Sequence, residues 1–351
     1  MNNEEKIRYI NSVLTFNAAA KECATKGTQP NYAVSEFFSA LPKSLFKYRC
    51  FDEYTQEMLE EKYIFLCPAE KLDDPFECIF DLDISRFYDQ NKDALKKAIV
   101  QTVVETVIQF VAKDKREATR QLAYSCITPR GTLDRRKATE VVLSETKNRK
   151  DVDANAVVNW IGGLCDKWNG IGMQEEVDKL IKYSINARKE TGICALSEIN
   201  DSQVMWAMYS GNYAGYCIEY DFENDIEAAI DTFPVIYQNK RNNNVLTAIV
   251  AMGLNAAVRE MSKGQLTTDV TQYLQAFLTK SEEWSFQKEW RVVREPNEHV
   301  PAPRVKAIYV GHRADEKNLE LIKELSRKMG FDVYKTSINP KTLKIEFEKV
   351  I

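Results

Sequence analysis

The chain of 351 residues contains only two histidines, His299 and His312. This count excludes a His-rich metal centre and a pair of histidines acting as acid and base. The sequence also lacks the phosphate-loop motif G-x-x-x-x-G-K-[ST], the dinucleotide motif G-x-G-x-x-G and the nucleophile motif G-x-S-x-G. These absences argue against phosphate-loop, dinucleotide-fold and serine-hydrolase enzymes.

Long apolar runs and paired cysteines are missing as well. The longest apolar run, near "AIVAMGL", is far shorter than the roughly 20 residues that cross a bilayer. The eight cysteines form no C-x-x-C pair, and "MNNEEKIRYI" lacks the three regions of a signal peptide. The sequence therefore predicts a cytoplasmic protein with reduced thiols and no membrane-spanning segment.

The formal net charge of -4 provides no global basic field for nucleic acid or an anionic membrane. A local run of basic residues is nevertheless present. Such a run is more often a solvated face than a nucleic-acid surface, and both alternatives stay open. The run consists of Arg130, Arg135, Arg136, Lys137, Lys147, Arg149 and Lys150.

Hydrophobic periodicity predicts an α+β fold with a mixed-sheet core. Residues 1–42 are expected to form a helical N-terminal arm, and residues 43–351 a single α+β domain. A change to helical periodicity at about 91–190 indicates a large helical insertion in that domain. Helices are expected near 153–168 and 173–189, and a strand over 285–294.

The stretch "LDDPFE" places Asp73, Asp74 and Glu77 around Pro75. The proline forbids a continuing helix and biases Asp74 to an extended conformation. One interpretation is a turn in which an aspartate side chain accepts hydrogen bonds from backbone amides. The other is a cluster of functional carboxylates.

The stretch "VMWAMYSGNYAGYCIEYDF" predicts a short helix, a glycine-containing loop and a strand. Tyr216 and Tyr220 are expected in the core, where such aromatics are common. Trp206 and Tyr209 come just before the loop, a position from which an aromatic ring can stack on a flat ligand. For these two residues the core and ligand-binding interpretations are both open.

The stretch "WSFQKEWRVV" alternates as a strand does, which puts Gln287, Glu289 and Arg291 on one face and Trp290 on the other. An exposed ion pair between Glu289 and Arg291 would contribute only about 0.2–1 kcal/mol. The functional alternative is a carboxylate held in an aromatic cleft by an arginine that keeps it ionised.

Four segments, "LDDPFE", "MWAMYSGNYAGYCIEYDF", "WSFQKEWRVV" and "VKAIYVGHR", resemble in order the motifs of a bacterial family called domain of unknown function 2971. The resemblance covers about 45–350. Two positions depart from the family pattern. Asp73 replaces an Asn before the Asp-Pro-Phe turn, and Gln287 replaces the first Glu of an E-x-E pair, which weakens any mechanism that needs two acids.

A second resemblance is to the ADP-ribosyltransferase fold, based on "KYR" in the first strand and "QKE" before the late strand. It implies that Glu289 stabilises an oxocarbenium-like sugar as nicotinamide leaves NAD. It also implies NAD contacts from Arg49, Trp206, Tyr209 and Arg291. Further site residues would be Asp74, Phe76 and Gln287.

These resemblances predict an NAD-consuming enzyme of the ADP-ribosyltransferase or NAD glycohydrolase type, acting as a toxin or phage-defence effector. NAD is the expected substrate, no metal is expected, and the acceptor is an unidentified macromolecule or small molecule. Two alternatives remain. One is a non-enzymatic binding or regulatory protein. The other is a metal-dependent nuclease-type enzyme built on the acids Asp73, Asp74, Glu77, Glu219 and Asp221.

Overall fold

The computed structural model describes residues 1–25, 40–79, 116–126, 134–146, 186–223, 225–240, 271–296 and 300–351, together with positions 159 and 182. The helices are α1 (Asn3–Thr25), α2 (Thr55–Glu61), α3 (Arg116–Tyr124), α4 (Arg135–Thr146), α5 (Gln203–Tyr209), α6 (Ile226–Ala229), α7 (Thr271–Leu278) and α8 (Glu316–Met329). Two 3-10 helices span Ala69–Lys71 and Glu282–Gln287.

The strands are β1 (Ser44–Arg49), β2 (Tyr63–Ile64), β3 (Cys67–Pro68), β4 (Gly192–Ser197), β5 (Tyr216–Asp221), β6 (Thr232–Pro234), β7 (Ile236–Tyr237), β8 (Thr279–Lys280), β9 (Glu289–Arg294), β10 (Val300–Pro301), β11 (Arg304–Val310), β12 (Asp332–Asn339) and β13 (Lys344–Lys349). Nine of them form one sheet in the order β13-β12-β11-β5-β1-β4-β9-β6, with β3 paired to β4. Neighbours are antiparallel except β11 and β12, which are parallel. The predicted α+β class is confirmed.

The chain divides into two compact units. The first comprises Met1–Ile79, Ala187–Arg241 and Leu274–Ile351, and the second comprises Phe80–Asn186 and Asn242–Tyr273. The second unit contains α3 and α4 among its described residues. The helices predicted near 153–168 and 173–189 lie almost entirely outside the described residues. The predicted domain boundaries stay a prediction.

The large sheet presents two different faces because side chains alternate along each strand. We call the first the helix-covered face: Leu45, Ile218 and Trp290 lie there in a core that α1 and α8 complete through residues such as Ile10 and Ile322. We call the second the aromatic face. Its core contains Tyr48 of β1, Cys217 of β5, Tyr309 of β11 and Trp206 of α5.

Helix α1 packs against the sheet. Ile10 and Val13 are fully buried, and the ring of Tyr9 meets Trp290 edge-on with 5.2 Å between centroids. Helix α1 lies within the predicted N-terminal arm of residues 1–42, residues 26–39 lie outside the described residues, and the arm itself stays a prediction. Although α1 has 23 residues, neither it nor another described helix is long and apolar enough to cross a membrane.

The loop after α5 holds the end of that helix close to β1. Gly211, Asn212 and Tyr213 all have positive φ angles, of 57°, 54° and 67°. At Gly215 an added Cβ would lie 2.1 Å from the carbonyl oxygen of Arg49, so only glycine fits between the two backbones. The Gly215 amide also donates to the Ser210 carbonyl oxygen at 2.7 Å, which links the residue after Tyr209 to the start of β5.

The strand predicted over 285–294 is wrong in its first four residues. Glu282–Gln287 form a 3-10 helix, Lys288 adopts a left-handed conformation with φ of 43°, and β9 begins only at Glu289. The Lys288 amide donates to the carbonyl oxygen of Ser285, which closes the helical turn. Side chains therefore alternate between the two faces of the sheet only from Glu289 onward.

Candidate functional site

Four charged side chains form a closed ring in the first unit, which we call the charge network: Glu77, Lys280, Glu289 and Arg291. The Lys280 ammonium lies 2.6 Å from Oε1 of Glu77 and 3.0 Å from Oε2 of Glu289. Arg291 donates from Nε to Oε1 of Glu289 at 2.7 Å and from its terminal nitrogen to Oε2 of Glu77. Each acid thus lies between two bases, and each base between two acids.

The charge network is buried, with side-chain exposures of 1–6%. Removing charges from water is costly unless they are paired, and here two acids balance two bases. Burial by itself raises the pKa of Glu289, but the nearby cations Arg291 and Lys280 outweigh it and hold that pKa below its ordinary value. Glu289 is consequently ionised at neutral pH.

Burial and the neighbouring carboxylates also act in opposite directions on the pKa values of the two bases, Lys280 and Arg291. Burial by itself lowers the pKa of Lys280, and the carboxylates of Glu289 and Glu77 raise it above its ordinary value. Burial likewise opposes the charge of Arg291, while Glu289 and Glu77 raise its pKa. Lys280 is therefore a fixed positive charge and not a neutral amine nucleophile.

Local structure explains how Glu77 reaches the charge network. The Phe76 amide donates to Oδ1 of Asp74 at 2.8 Å, and the Glu77 amide donates to the Asp74 carbonyl oxygen at 3.0 Å. Asp74 thus forms the hydrogen-bonded turn of the first interpretation, and this turn directs Glu77 inward. Phe76 is 72% exposed.

Gln287 links the charge network to Tyr209. Its side-chain oxygen accepts from Lys280 at 2.7 Å, and its amide nitrogen donates to the Tyr209 hydroxyl at 2.7 Å. Tyr209 is half-buried, and the half-buried Trp284 ring lies 5.0 Å from the Lys280 ammonium. Two partly exposed aromatic rings therefore border the buried charges.

Further contacts hold the charge network in position. The Glu289 amide donates to the Tyr237 hydroxyl at 2.8 Å, and Arg291 donates to the Phe277 carbonyl oxygen. The Cys78 sulfur lies 3.9 Å from Arg291, but burial raises the pKa of this thiol to about 11. Cys78 is therefore protonated at neutral pH and poorly suited to nucleophilic attack.

The structure brings Glu289, Arg291, Gln287 and Tyr209 together, as the cleft hypothesis requires, but not Arg49. In the ladders, Glu289 pairs with Ser197 and Ser197 with Phe46 of β1, which places them on the aromatic face. In β1 the side chains of Phe46 and Arg49 point to opposite faces of the sheet, so Arg49 does not lie on the aromatic face.

Arg49 pairs instead with Tyr216, a core residue of the helix-covered face. There its guanidinium donates to the Met58 sulfur and to Asp52, both at 3.0 Å. The prediction that Arg49 shares a cleft with Glu289 is wrong, because the two side chains leave opposite faces of one sheet.

Trp206 belongs to the core. It is 0% exposed, its indole nitrogen donates to the Asn200 carbonyl oxygen at 2.7 Å, and its ring stacks on Tyr213 at 6.0 Å. Tyr48 meets the same ring edge-on at 5.5 Å. These contacts enclose the ring, so a ligand cannot stack on it without displacing core residues, and the core interpretation is the one that the geometry supports.

Sequence reasoning missed Lys280, and it considered Glu77 only as a member of a carboxylate cluster and not as a partner of Glu289. Glu77 was visible as an acid in "LDDPFE", whereas Lys280 follows a helix and carries no motif. Glu219 and Asp221, two acids of the nuclease alternative, also have partners within the protein. The Glu219 carboxylate accepts hydrogen bonds from the hydroxyls of Ser44 and Tyr309, each at 2.7 Å, and Asp221 pairs with Arg304. Among the described residues no cluster of three or more His, Cys, Asp and Glu side chains could hold a metal ion.

The predicted basic run is described in part. Arg136 pairs with Glu140 at 3.3 Å, and the Lys137 ammonium donates to the Ser125 carbonyl oxygen at 3.1 Å. The Arg135 side chain and the residues Arg130, Lys147, Arg149 and Lys150 lie outside the described part. A nucleic-acid surface here stays a prediction.

The fold and site define an α+β protein in which a late strand begins with buried Glu289 and Arg291, directly after a 3-10 helix that ends at buried Gln287. Residues 205–292 match the model of a family described as a protein of unknown function, DUF2971. This match contains most of α5, together with Gln287, Glu289 and Arg291. It supports the family resemblance for the two central segments, whereas "LDDPFE" and "VKAIYVGHR" lie outside the matched residues. No curated protein and no solved structure gives a significant match to the chain.

We expect the charge network to make the folded protein less stable in acid. Because the folded-state pKa of Glu289 is below its ordinary value of 4.5, its stabilising contribution is present above that value. The contribution is lost as the pH falls through the folded-state pKa. Urea unfolding at several pH values between 7 and 3 should therefore show a falling midpoint below about pH 4.5.

The control for this prediction is Glu289→Gln, which cannot titrate at that position. Its urea midpoint should change less with pH than that of the unmodified protein over the same range. Parallel pH curves for the two proteins would contradict a lowered pKa at Glu289.

Proposed function

We propose that this protein is an NAD-consuming enzyme of the ADP-ribosyltransferase or NAD glycohydrolase type, with Glu289 as the catalytic carboxylate. The observation that carries the proposal is a buried, ionised Glu289 joined through Lys280 to Gln287, whose amide contacts the half-exposed Tyr209. This arrangement supplies one preorganised negative charge beside a ring on which nicotinamide can stack.

Cleavage of the bond between nicotinamide and ribose requires few groups besides this carboxylate. When the bond between nicotinamide and ribose breaks, its electron pair leaves with the nicotinamide nitrogen and positive charge develops on the sugar. A preorganised carboxylate in a water-poor site stabilises that charge without a histidine or a metal. Water or an acceptor group then forms the new bond to the sugar and loses a proton.

Glu289 retains capacity for a substrate contact. Each of its oxygens accepts one hydrogen bond, from Arg291 and from Lys280, whereas an ionised carboxylate offers about four acceptor positions. Because Glu289 is only 5% exposed, the residues that cover it must be displaced before a substrate can reach it. Arg49 has no part in the proposed site, so other cations would bind the diphosphate.

A second candidate is a non-enzymatic binding or regulatory protein. The observation that favours it is the closed ring of four charges, in which every acid is neutralised by bases of the same protein. The metal-dependent nuclease alternative has no comparable support. Glu77 is neutralised by Lys280 and Arg291, and Asp221 is paired with Arg304.

The first test is incubation of the full chain with NAD and measurement of nicotinamide release, together with labelling of added proteins. Release by the unmodified protein is the expected result. A toxin or phage-defence role would follow from growth arrest on expression that depends on this activity. Absence of NAD turnover with cell extract as a source of acceptors would contradict the proposal.

Tyr209 provides a prediction about substrate binding. Because base stacking on an aromatic ring contributes about 1–3 kcal/mol, Tyr209→Ala should raise the KM for NAD about tenfold or more. Tyr209→Phe retains the ring and should have a smaller effect. The matched control is Met208→Ala, one residue earlier on α5 and 50% exposed, which should leave KM unchanged. Equal KM values for Tyr209→Ala and the unmodified protein would exclude stacking on Tyr209.

A further inference from the structure

The two edges of the nine-stranded sheet are built differently. At one edge, β6 contains Pro234, which has no backbone N–H to donate. Side chains of α1 cover the same edge: Tyr9 donates to the Thr232 carbonyl oxygen at 3.3 Å, and Lys6 donates to the Val235 carbonyl oxygen at 2.7 Å. Proline and a covering element both keep an edge strand from pairing with another chain. The β6 edge is therefore protected.

Strand β13, at the other edge, has neither of these protections. Its six residues, Lys344–Lys349, include no proline, and within the described part of the chain β12 is the only strand paired with it. A strand in this position presents a row of unpaired backbone N–H and C=O groups on its outer side. These groups can bind a further strand.

Side chains along β13 alternate between apolar and charged. Ile345 and Phe347 point to the aromatic face and pack in its core. Lys344, Glu346 and Glu348 point to the opposite face and are exposed. Charges on an edge strand ordinarily oppose pairing with another strand. Because both signs occur here, their order along the strand decides which partner is repelled and which is attracted.

Two of these charges, Lys344 and Glu348, have no ion-pair partner within the described part of the chain. Glu348 lies opposite Lys335 in the ladder with β12, but the two side chains form no ion pair. Glu346 differs, because the Asn339 side chain of β12 donates to its carboxylate at 2.7 Å. That contact draws the Glu346 carboxylate inward over β12 and away from the outer edge.

A second copy of β13 fits this order of charges when a two-fold axis normal to the sheet relates the two strands. Residues directly opposite each other in an antiparallel pair lie on the same face, so the axis must pass through a residue of the strand. With the axis at Glu346, Lys344 lies opposite Glu348 of the second copy, and this pair occurs twice. Ile345 then lies opposite Phe347, which extends the apolar core across the axis.

The neighbouring registers fit less well. With the axis at Phe347, Glu346 would lie opposite Glu348 at two positions, and like charges directly opposite each other are destabilising. With the axis at Ile345, only residues 344–346 would pair, because Leu343 has a φ of 56° and is not extended. The register centred on Glu346 pairs residues 344–348 and contains a single like-charge pair, at the axis.

We propose that β13 pairs antiparallel with β13 of a second copy of this chain, centred on Glu346, so that two sheets join across a two-fold axis. The partner is a second copy because the strand is complementary to itself in charge and in apolar side chains. A contact confined to one strand is small, so the dimer is weak, with a Kd in the micromolar range. It does not depend on NAD turnover, since β12, β11, β5, β1 and β4 lie between β13 and the strand that carries Glu289.

Sedimentation velocity of the full chain, from micromolar to several hundred micromolar protein, measures the association. We expect a concentration-dependent dimer for the unmodified protein. Glu348→Lys puts like charges opposite each other at two positions and should weaken the dimer about tenfold or more. Lys344→Glu/Glu348→Lys exchanges the two charges and should restore it. The matched control is Glu70→Lys, which makes the same change of charge at an exposed residue beside β3 and should leave association unchanged.

Two cysteine variants test the register. Residues directly opposite each other in an antiparallel pair have Cα atoms about 4.5–5.5 Å apart, a separation that a disulfide spans. Glu346→Cys, at the axis, should therefore form a disulfide-linked dimer under mild oxidation. Ser337→Cys is the control, because Ser337 is exposed and lies opposite Glu346 on β12, one strand further from the axis. It should link no more than the unmodified protein does.

A monomer at every concentration would overturn the proposal. So would a dimer as strong in Glu348→Lys as in Glu70→Lys, or one in which Glu346→Cys is linked no more than Ser337→Cys. Circular dichroism establishes that each variant is folded before its association is compared. If Glu348→Lys does not fold, Lys344→Glu makes the same test from the other side of the pair.

Discussion

Glu289→Gln is expected to reduce NAD turnover about 100-fold or more, because one preorganised charge in a buried site typically contributes that much to a rate. The amide has the same shape and retains one acceptor oxygen, but it cannot balance positive charge on the sugar. The effect should appear in kcat as well as in kcat/KM, since the charge develops only in the transition state. Nicotinamide release under saturating NAD measures it.

Glu77→Gln is the matched control for this variant. It removes the same charge from the same charge network, and it leaves the same excess positive charge beside Lys280 and Arg291. The two variants should therefore lose similar stability, while only Glu289→Gln should lose most of its activity. Equal losses of activity would assign Glu289 a structural role, and undiminished turnover in Glu289→Gln would contradict a catalytic one.

Arg291→Met is expected to destabilise the protein by about 3–5 kcal/mol, the usual cost of breaking a buried ion pair by removing one partner. Arg291 is 0% exposed and contacts both Glu77 and Glu289, so its loss leaves two buried carboxylates for one lysine. It also removes the donor to the Phe277 carbonyl oxygen. Urea unfolding at pH 7, with the midpoint and slope fitted together, measures the loss.

Two comparisons isolate the cause of this loss. Arg304→Met removes an arginine whose side chain is 72% exposed from its pair with Asp221, and it should cost less than about 1 kcal/mol. The double variant Glu77→Met/Arg291→Met leaves Lys280 and Glu289 as a neutral pair and should recover part of the stability. If the double variant were less stable than Arg291→Met by the full cost of Glu77→Met, charge balance would not be the cause.

The Glu-x-Arg part of the site was predictable from sequence, because strand alternation is a local property. Period two places Glu289 and Arg291 on one face, and they are joined there at 2.7 Å. The start of the strand was not predictable in the same way. Gln287 lies at the end of a 3-10 helix, and a left-handed Lys288 connects it to β9.

The turn at Asp74 is an ordinary structural turn that also positions Glu77 in the candidate site. Its hydrogen bond to the Phe76 amide is the ordinary behaviour of an aspartate before proline. The consequence for the site, namely that Glu77 points at Lys280 and Arg291, depends on residues about 200 positions away. No local pattern contains that information.

Composition and local periodicity by themselves were sufficient to predict the α+β class, the Glu-x-Arg pair and the turn before Glu77. The family motifs could be read directly from the sequence. Only the tertiary structure decided which side chains meet: it brings Lys280 and Glu77 to Glu289, encloses Trp206 and places Arg49 on the opposite face. The physical reason is that alternation tells which residues of one strand share a face. The face of the sheet on which they lie is decided by the register with neighbouring strands and by the helices that cover it.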